Sequence, residues 1–199
     1  MNFKRGAIVS DVAGVKRKMI DGFDMFREDE VEFVFSHPIA GRETSGIKYS
    51  DENIFKGANF VITPINSNTD EALSMIKVLA GQMGFKNISF MKDVEHDEII
   101  SFTSQLTHAI AISLVNSDQE KYNTELFIGD SYKDLTRIAK INEKLWSELF
   151  LSNKDFLVKN IEKFESELSI LKEAIKNKDK NKIEELMIKS TKKRSSIDG

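Results

Sequence analysis

The chain has 199 residues, 40% of them hydrophobic, with 29 basic and 32 acidic side chains and a net charge of −3. That length builds a core without staples and admits one large domain or two small ones. The absence of cysteine excludes a disulfide framework, a thiol nucleophile and a thiolate metal site, and suits a cytoplasmic protein. A slightly acidic balance argues against nonspecific nucleic-acid binding. Apolar runs such as Ala109–Val115 are too short to cross a bilayer, so no membrane partner is expected. The N-terminus lacks the apolar stretch of a secretory signal.

The first half reads as α/β. Gly6–Ser10 fits a short buried strand, and Val12–Phe26 has helical spacing. Val31–Phe35 is a second strand candidate, expected to stop at Ser36-His37-Pro38 because the residue before a proline avoids the helical region. Asn59–Thr63 is a third, ended by Pro64. Asn66–Asp70 then supplies cap chemistry for a helix over Glu71–Met83, with Gly84 as its stop. Ile88–Met91 is the fourth strand candidate. Strands alternating with helices predict crossover units and a mostly parallel sheet.

After Asp93 the texture changes. No glycine lies between Gly84 and Gly129, and no proline follows Pro64. Val94–Asn116 is long enough for a helix of about six turns. Leu157, Ile161, Phe164, Leu168, Leu171 and Ile175 recur at alternating steps of four and three, a seam suited to packing against other helices. A polar break follows at Lys176–Lys182, then an amphipathic segment through Ile183, Leu186 and Ile188. The expected division is α/β over residues 1–92 and all-helical over 93–199.

Three histidines are present, His37, His96 and His108. His37 stands beside Pro38 and Gly41 at a predicted strand end, where ligands of α/β sheets bind; a plain surface-loop role fits the local pattern equally well. His96 and His108 are twelve residues apart on one helix, roughly 18 Å along its axis, too far to share a metal. Ser104 and His108 do share a helix face, although a histidine on an apolar helix is more often a satisfied core group. Arg137 and Asp134 are spaced to pair, and a guanidinium aimed at a pocket suits a carboxylate. Trp146 is most simply core. No metal-ligating motif, no GxSxG elbow, no GxGxxG and no Walker loop occurs.

Four stretches, in order, resemble the prephenate dehydrogenase family. They are Ser10-Asp-Val-Ala-Gly-Val-Lys16, then His37-Pro-Ile-Ala-Gly-Arg-Glu-Thr-Ser-Gly46 with Ile62-Thr-Pro64. Glu95-His-Asp97 leads into Ser104-Gln-Leu-Thr-His108, and Lys133-Asp-Leu-Thr-Arg-Ile-Ala139 has Trp146 and Asn153 downstream. The resemblance implies an α/β remnant of a Rossmann-type nucleotide-binding domain followed by an all-α dimerisation domain. It also implies oxidative decarboxylation of prephenate or arogenate with NAD or NADP, by a homodimer. His37 matches the family's catalytic histidine, and Arg137 its anchor for a substrate carboxylate. His108 and Ser104 match the substrate-facing helix; Asp134 would hold Arg137, and Trp146 would help close the pocket. Asp11, Gly14 and Pro38 fall in loops near the nicotinamide.

Departures from the family pattern are also present. Gly14 stands where relatives commonly carry a serine, and Gln105 and Thr107 where a histidine and a proline are often found. The family's glycine-rich pyrophosphate loop precedes the Asp11–Lys16 segment and is not among these residues, so the polypeptide alone is expected to bind dinucleotide weakly or not at all. A non-catalytic truncated module that dimerises and binds substrate is therefore the competing expectation. Another dehydrogenase of the β-hydroxyacid type fits the His37 and Arg137 stretches less well.

Overall fold

A computed structural model describes residues 3–23, 31–41 and 46–198. By their contacts these residues form two compact units, 1–157 and 158–199.

The first unit is built on four strands, β1 (Ala7–Ser10), β2 (Val31–Ile39), β3 (Asn59–Thr63) and β4 (Asn87–Phe90), lying side by side in that order. The pairs β1–β2 and β3–β4 are parallel, as expected, whereas the central pair β2–β3 is antiparallel, so the sheet is mixed. β2 changes partner along its length: Val31–Val34 pair with β1, and Phe35–Ile39 pair with β3. That change explains why the strand continues through Ser36, His37 and Pro38 instead of stopping there. Pairing with β1 ends at Val34, so among the described residues Pro38 has a strand neighbour on one side only, a position where a proline without an N–H is tolerated.

Period-two alternation gives β2 two unlike faces. Val34 points into an apolar core with Phe60, Ile62, Phe85 and three residues of helix α2 (Asp70–Gln82), namely Ala72, Ile76 and Ala80. Phe33 and Phe35 lie on the other face and form a ring cluster with Phe23; His37 continues that row. Helix α2 begins where the sequence predicts, with the Thr69 hydroxyl accepting from the Ala72 N–H. It stops at Gly84, whose φ of +93° is the left-handed geometry glycine adopts freely. The predicted helix over Val12–Phe26 is confined, among described residues, to α1 (Arg17–Asp21). Its last stretch, residues 24–26, falls outside the described residues, as do Arg42, Glu43, Thr44 and Ser45 of the His37 motif.

From Asp93 onward the regular structure is helical. The predicted long helix appears as α3 (Asp93–Ile100) and α4 (Leu106–Asn116), joined by a π-helical turn at Ser101–Gln105. By length and composition, the whole of Asp93–Asn116 could cross a membrane, contrary to the expectation from its shorter apolar run. Its buried residues include the polar His96, Asp97, Ser101 and Gln105, three of which bond to other elements of the chain. Two further helices follow, α5 (Asp130–Thr136) and α6 (Glu143–Ser152), with a 3-10 turn at Arg137–Ala139 between them.

Helix α7 (Lys154–Lys176) carries the boundary between the units, and α8 (Lys180–Asp198) completes the second. The turn between them is tight. Lys178 adopts φ +55°, and the Asp179 N–H donates to the Ala174 carbonyl. Val158, Leu168, Ile170, Ile175, Met187 and Ile188 of this unit are exposed.

Candidate active site

The carboxyl end of β1 runs into a loop, residues 11–16, whose conformation is held by two carboxylates. Asp11 accepts from the Ser36 N–H at 2.9 Å and the Ala13 N–H at 3.0 Å, and pairs with the buried Lys16 ammonium. Burial lowers the Lys16 pKa, and Asp11 opposes that shift. Asp97, from α3, accepts from the Lys16 N–H at 2.8 Å and the Arg17 N–H at 2.9 Å. It thereby satisfies two of the orphan donors at the start of α1. Ser36 ties the strand ends together, its hydroxyl donating to the Asp11 carbonyl and lying 2.7 Å from the Ser10 hydroxyl.

His37 occupies the centre of this framework. Its Nδ1 lies 2.9 Å from Nε2 of His96, and Nδ1 of His96 lies 2.7 Å from the Asp97 carboxylate. His96 and Asp97 are fully buried. Burial, followed by the neighbouring His96 and Lys16, pushes His37 down to about 3, with Asp97 acting the other way. The imidazole is therefore neutral at physiological pH. Its Nε2 faces Gly14, where a Cβ would sit 3.7 Å from that nitrogen and 3.6 Å from Leu149 Cδ2. Sequence reasoning took His96 for a core group and missed its contact with His37. No local signal gives that contact, because it depends on a strand 59 residues away and on the burial of Asp97.

The helical wall comes from α4 and α6. Gln105 donates to the Leu149 carbonyl at 3.1 Å, and Asn153 donates to the Asp97 carbonyl and to Gln105 Oε1 at 2.8 and 2.9 Å. These bonds fix the α6 face that carries Trp146, Leu149 and Asn153 against α3–α4. His108 stacks on Trp146 with centroids 3.6 Å apart, and its Nδ1 bonds to the Ser104 carbonyl at 2.9 Å, leaving Nε2 available. Burial lowers the His108 pKa despite that carbonyl. Trp146 is thus a half-buried wall residue rather than deep core. Arg137 and Asp134 lie on the exposed α5–turn segment, and the Arg137 turn packs against α4.

Among the described residues no group of acidic, histidine or cysteine side chains could hold a metal. For a nicotinamide the fit is partial. The loop after β1 lies at a strand carboxyl end, and the missing side chain at Gly14 leaves space beside His37. No glycine-rich pyrophosphate loop occurs in these 199 residues.

Two family models match nearly the whole chain. They are the prephenate dehydrogenase nucleotide-binding domain over residues 1–89 and the prephenate dehydrogenase dimerization domain over 92–189. A prephenate dehydrogenase of Bacillus subtilis is 27% identical over 86% of this chain and 47% of its own length. A cyclohexadienyl dehydrogenase of Zymomonas mobilis is 27% identical over 98% of this chain and 67% of its own. The chain spans about half the length of the Bacillus relative. Among solved structures, a prephenate dehydrogenase from A. aeolicus in complex with hydroxyphenyl propionate and NAD+ matches with a TM-score of 0.85. It is 32% identical, and the match covers 96% of this chain and 67% of that one.

Proposed function

Because the chain belongs to the prephenate dehydrogenase family, we propose that its site serves the oxidative decarboxylation of prephenate, or of the related arogenate, in tyrosine biosynthesis. The observation that carries this reading is His37, held neutral with Nε2 open toward Gly14 and anchored from behind by His96. Asp11, Gly14 and Pro38 would border the nicotinamide of NAD or NADP, whose contribution there would be to accept a hydride from the carbon that bears the ring hydroxyl. His37 Nε2 would take the hydroxyl proton as the carbonyl forms. The bond from the ring to its carboxylate would then break, CO2 leaving and the electron pair passing through the aromatised ring to the oxygen, which regains the proton. Arg137 would grip a substrate carboxylate through its planar fork, with Asp134, three residues earlier, positioning it. Ser104, His108 and Trp146 would line the ring's other side. A homodimer through the helical half, working in the cytoplasm, completes the reading. The α/β region is assigned to residues 1–92 and the substrate-binding and dimerisation region to 93–199.

The purified chain should be assayed with prephenate and with arogenate in the presence of NAD+ or NADP+, following reduced nicotinamide, while Trp146 fluorescence reports binding. Turnover that falls at least a hundredfold in His37→Asn with binding retained supports the reading. Saturable binding without turnover favours a non-catalytic substrate-binding module. Activity within a few-fold of wild type in His37→Asn would show that another group takes the proton.

A further inference from the structure

We propose that Asp97, acting through His96, fixes His37 in the tautomer that carries its proton on Nδ1 and leaves Nε2 bare. The direction follows from the acceptor at the end of the chain. The Asp97 carboxylate already receives the Lys16 and Arg17 N–H groups, and it lies 2.7 Å from His96 Nδ1. An ionised carboxylate only accepts, so His96 carries its proton on Nδ1. On this proposal that is the one proton His96 holds, so its Nε2 presents a lone pair 2.9 Å from His37 Nδ1, and the bond forms only if His37 donates. The proton order is therefore set from Asp97 outward, through two buried groups that water does not reach.

The consequence is chemical. A neutral imidazole has one basic nitrogen, and this chain makes it Nε2, the atom facing the space beside Gly14. Without His96, either nitrogen of His37 could hold the proton, and only part of the protein would be ready to accept one from a hydroxyl. Once Nε2 takes a proton, His37 is cationic and its Nδ1–H still donates toward His96; the Asp97 carboxylate favours that state, whereas burial, His96 and Lys16 oppose it. Asp97 and His96 are thus positioning residues. That the bare nitrogen acts as the base rests on the function proposed above; the tautomer itself does not.

The experiment needs neither substrate nor cofactor. Long-range proton–nitrogen NMR of the 15N-histidine-labelled chain at neutral pH reads the protonation of each ring nitrogen, with signals assigned by His37→Asn and His108→Asn. The expected result is both His37 and His96 predominantly protonated on Nδ1. His96→Gln, whose amide oxygen can still accept from His37, should keep the His37 tautomer, whereas His96→Leu and Asp97→Ala, which remove the acceptor, should shift it toward Nε2–H. A wild-type His37 protonated mainly on Nε2 overturns the proposal, as does an unchanged His37 tautomer in folded His96→Leu. Should Asp97→Ala fail to fold, because Asp97 also caps α1, the wild-type spectrum and the two His96 variants decide. An inactive chain with the expected spectrum would count against the proposed function alone.

Discussion

His37 Nδ1 and His96 Nε2 lie 2.9 Å apart, a single contact that joins a strand to a helix 59 residues further along the chain. Through it the catalytic candidate on the sheet inherits its orientation from the helical region. The same helix supplies Asp97 to the loop that carries Gly14, so both sides of the His37 ring are set by α3.

The first prediction concerns pH. Folded His37 titrates at about 3 because it is buried beside His96 and Lys16, with Asp97 only partly opposing them; unfolded it titrates near 6.5. Between those values the unfolded chain binds the extra proton, so stability falls as pH falls through that window. The slope from this one group approaches about 1.4 kcal/mol per pH unit. His37→Gln should remove that component while retaining the slope due to His108, whose pKa is also lowered by burial. Urea unfolding at several pH values between neutrality and 5 measures the difference.

Lys16 and Asp11 form a buried pair at the turn that faces His37. Replacing one partner leaves the other's charge uncompensated, at a cost of about 3–5 kcal/mol. Lys16→Met and Asp11→Asn should each destabilise strongly. The double variant should cost clearly less than their sum, and a double-mutant cycle by denaturant unfolding gives the coupling.

Gly14 is not in the left-handed region, and a Cβ there meets Leu149 and His37 at ordinary contact distances. Gly14→Ala should therefore fold normally, with stability unchanged or raised by up to about 1 kcal/mol through the unfolded chain. Gly14→Ser should place a hydroxyl close enough to His37 Nε2 to perturb that nitrogen's NMR shift, while the alanine variant leaves it nearly unchanged.

Leu168 and Ile175, one heptad apart on α7, are 52% and 57% exposed. On the proposed homodimer they lie in the seam between subunits, where burying a large apolar side chain is worth about 1.5–3 kcal/mol. Leu168→Lys with Ile175→Lys should shift the sedimentation velocity from dimer to monomer while leaving the circular dichroism helical.

Much of the architecture is legible in the sequence because its signals are local. Thr69 and Gly84 bracket α2, short apolar runs mark β1 and β3, and the glycine-free stretch after Asp93 is helical. The end of β2 is not legible in this way. A proline is expected to stop the strand, but Pro38 pairs with Phe60 of β3 where the pairing with β1 has already ended. Whether a proline breaks a strand depends on which neighbours it has, and those arrive from elsewhere in the chain. The antiparallel β2–β3 pairing is hidden for the same reason. His96 is the clearest case in the site: helical periodicity places it inside, and only the tertiary structure shows that His37 and Asp97 fill its two nitrogens. The π turn at Ser101–Gln105 is likewise invisible in a pattern that reads as continuous helix.

On the proposed function, one ligand would be held among His37, the His108–Trp146 stack and Arg137. The most direct measurement is histidine NMR of the chain titrated with hydroxyphenyl propionate, the compound bound in the A. aeolicus structure. The account predicts that the His37 and His108 signals shift together along a single saturation curve, and that Arg137→Met weakens binding at least tenfold, about 1.4 kcal/mol. Saturable binding that moves neither histidine, or that is unchanged in Arg137→Met, would contradict it.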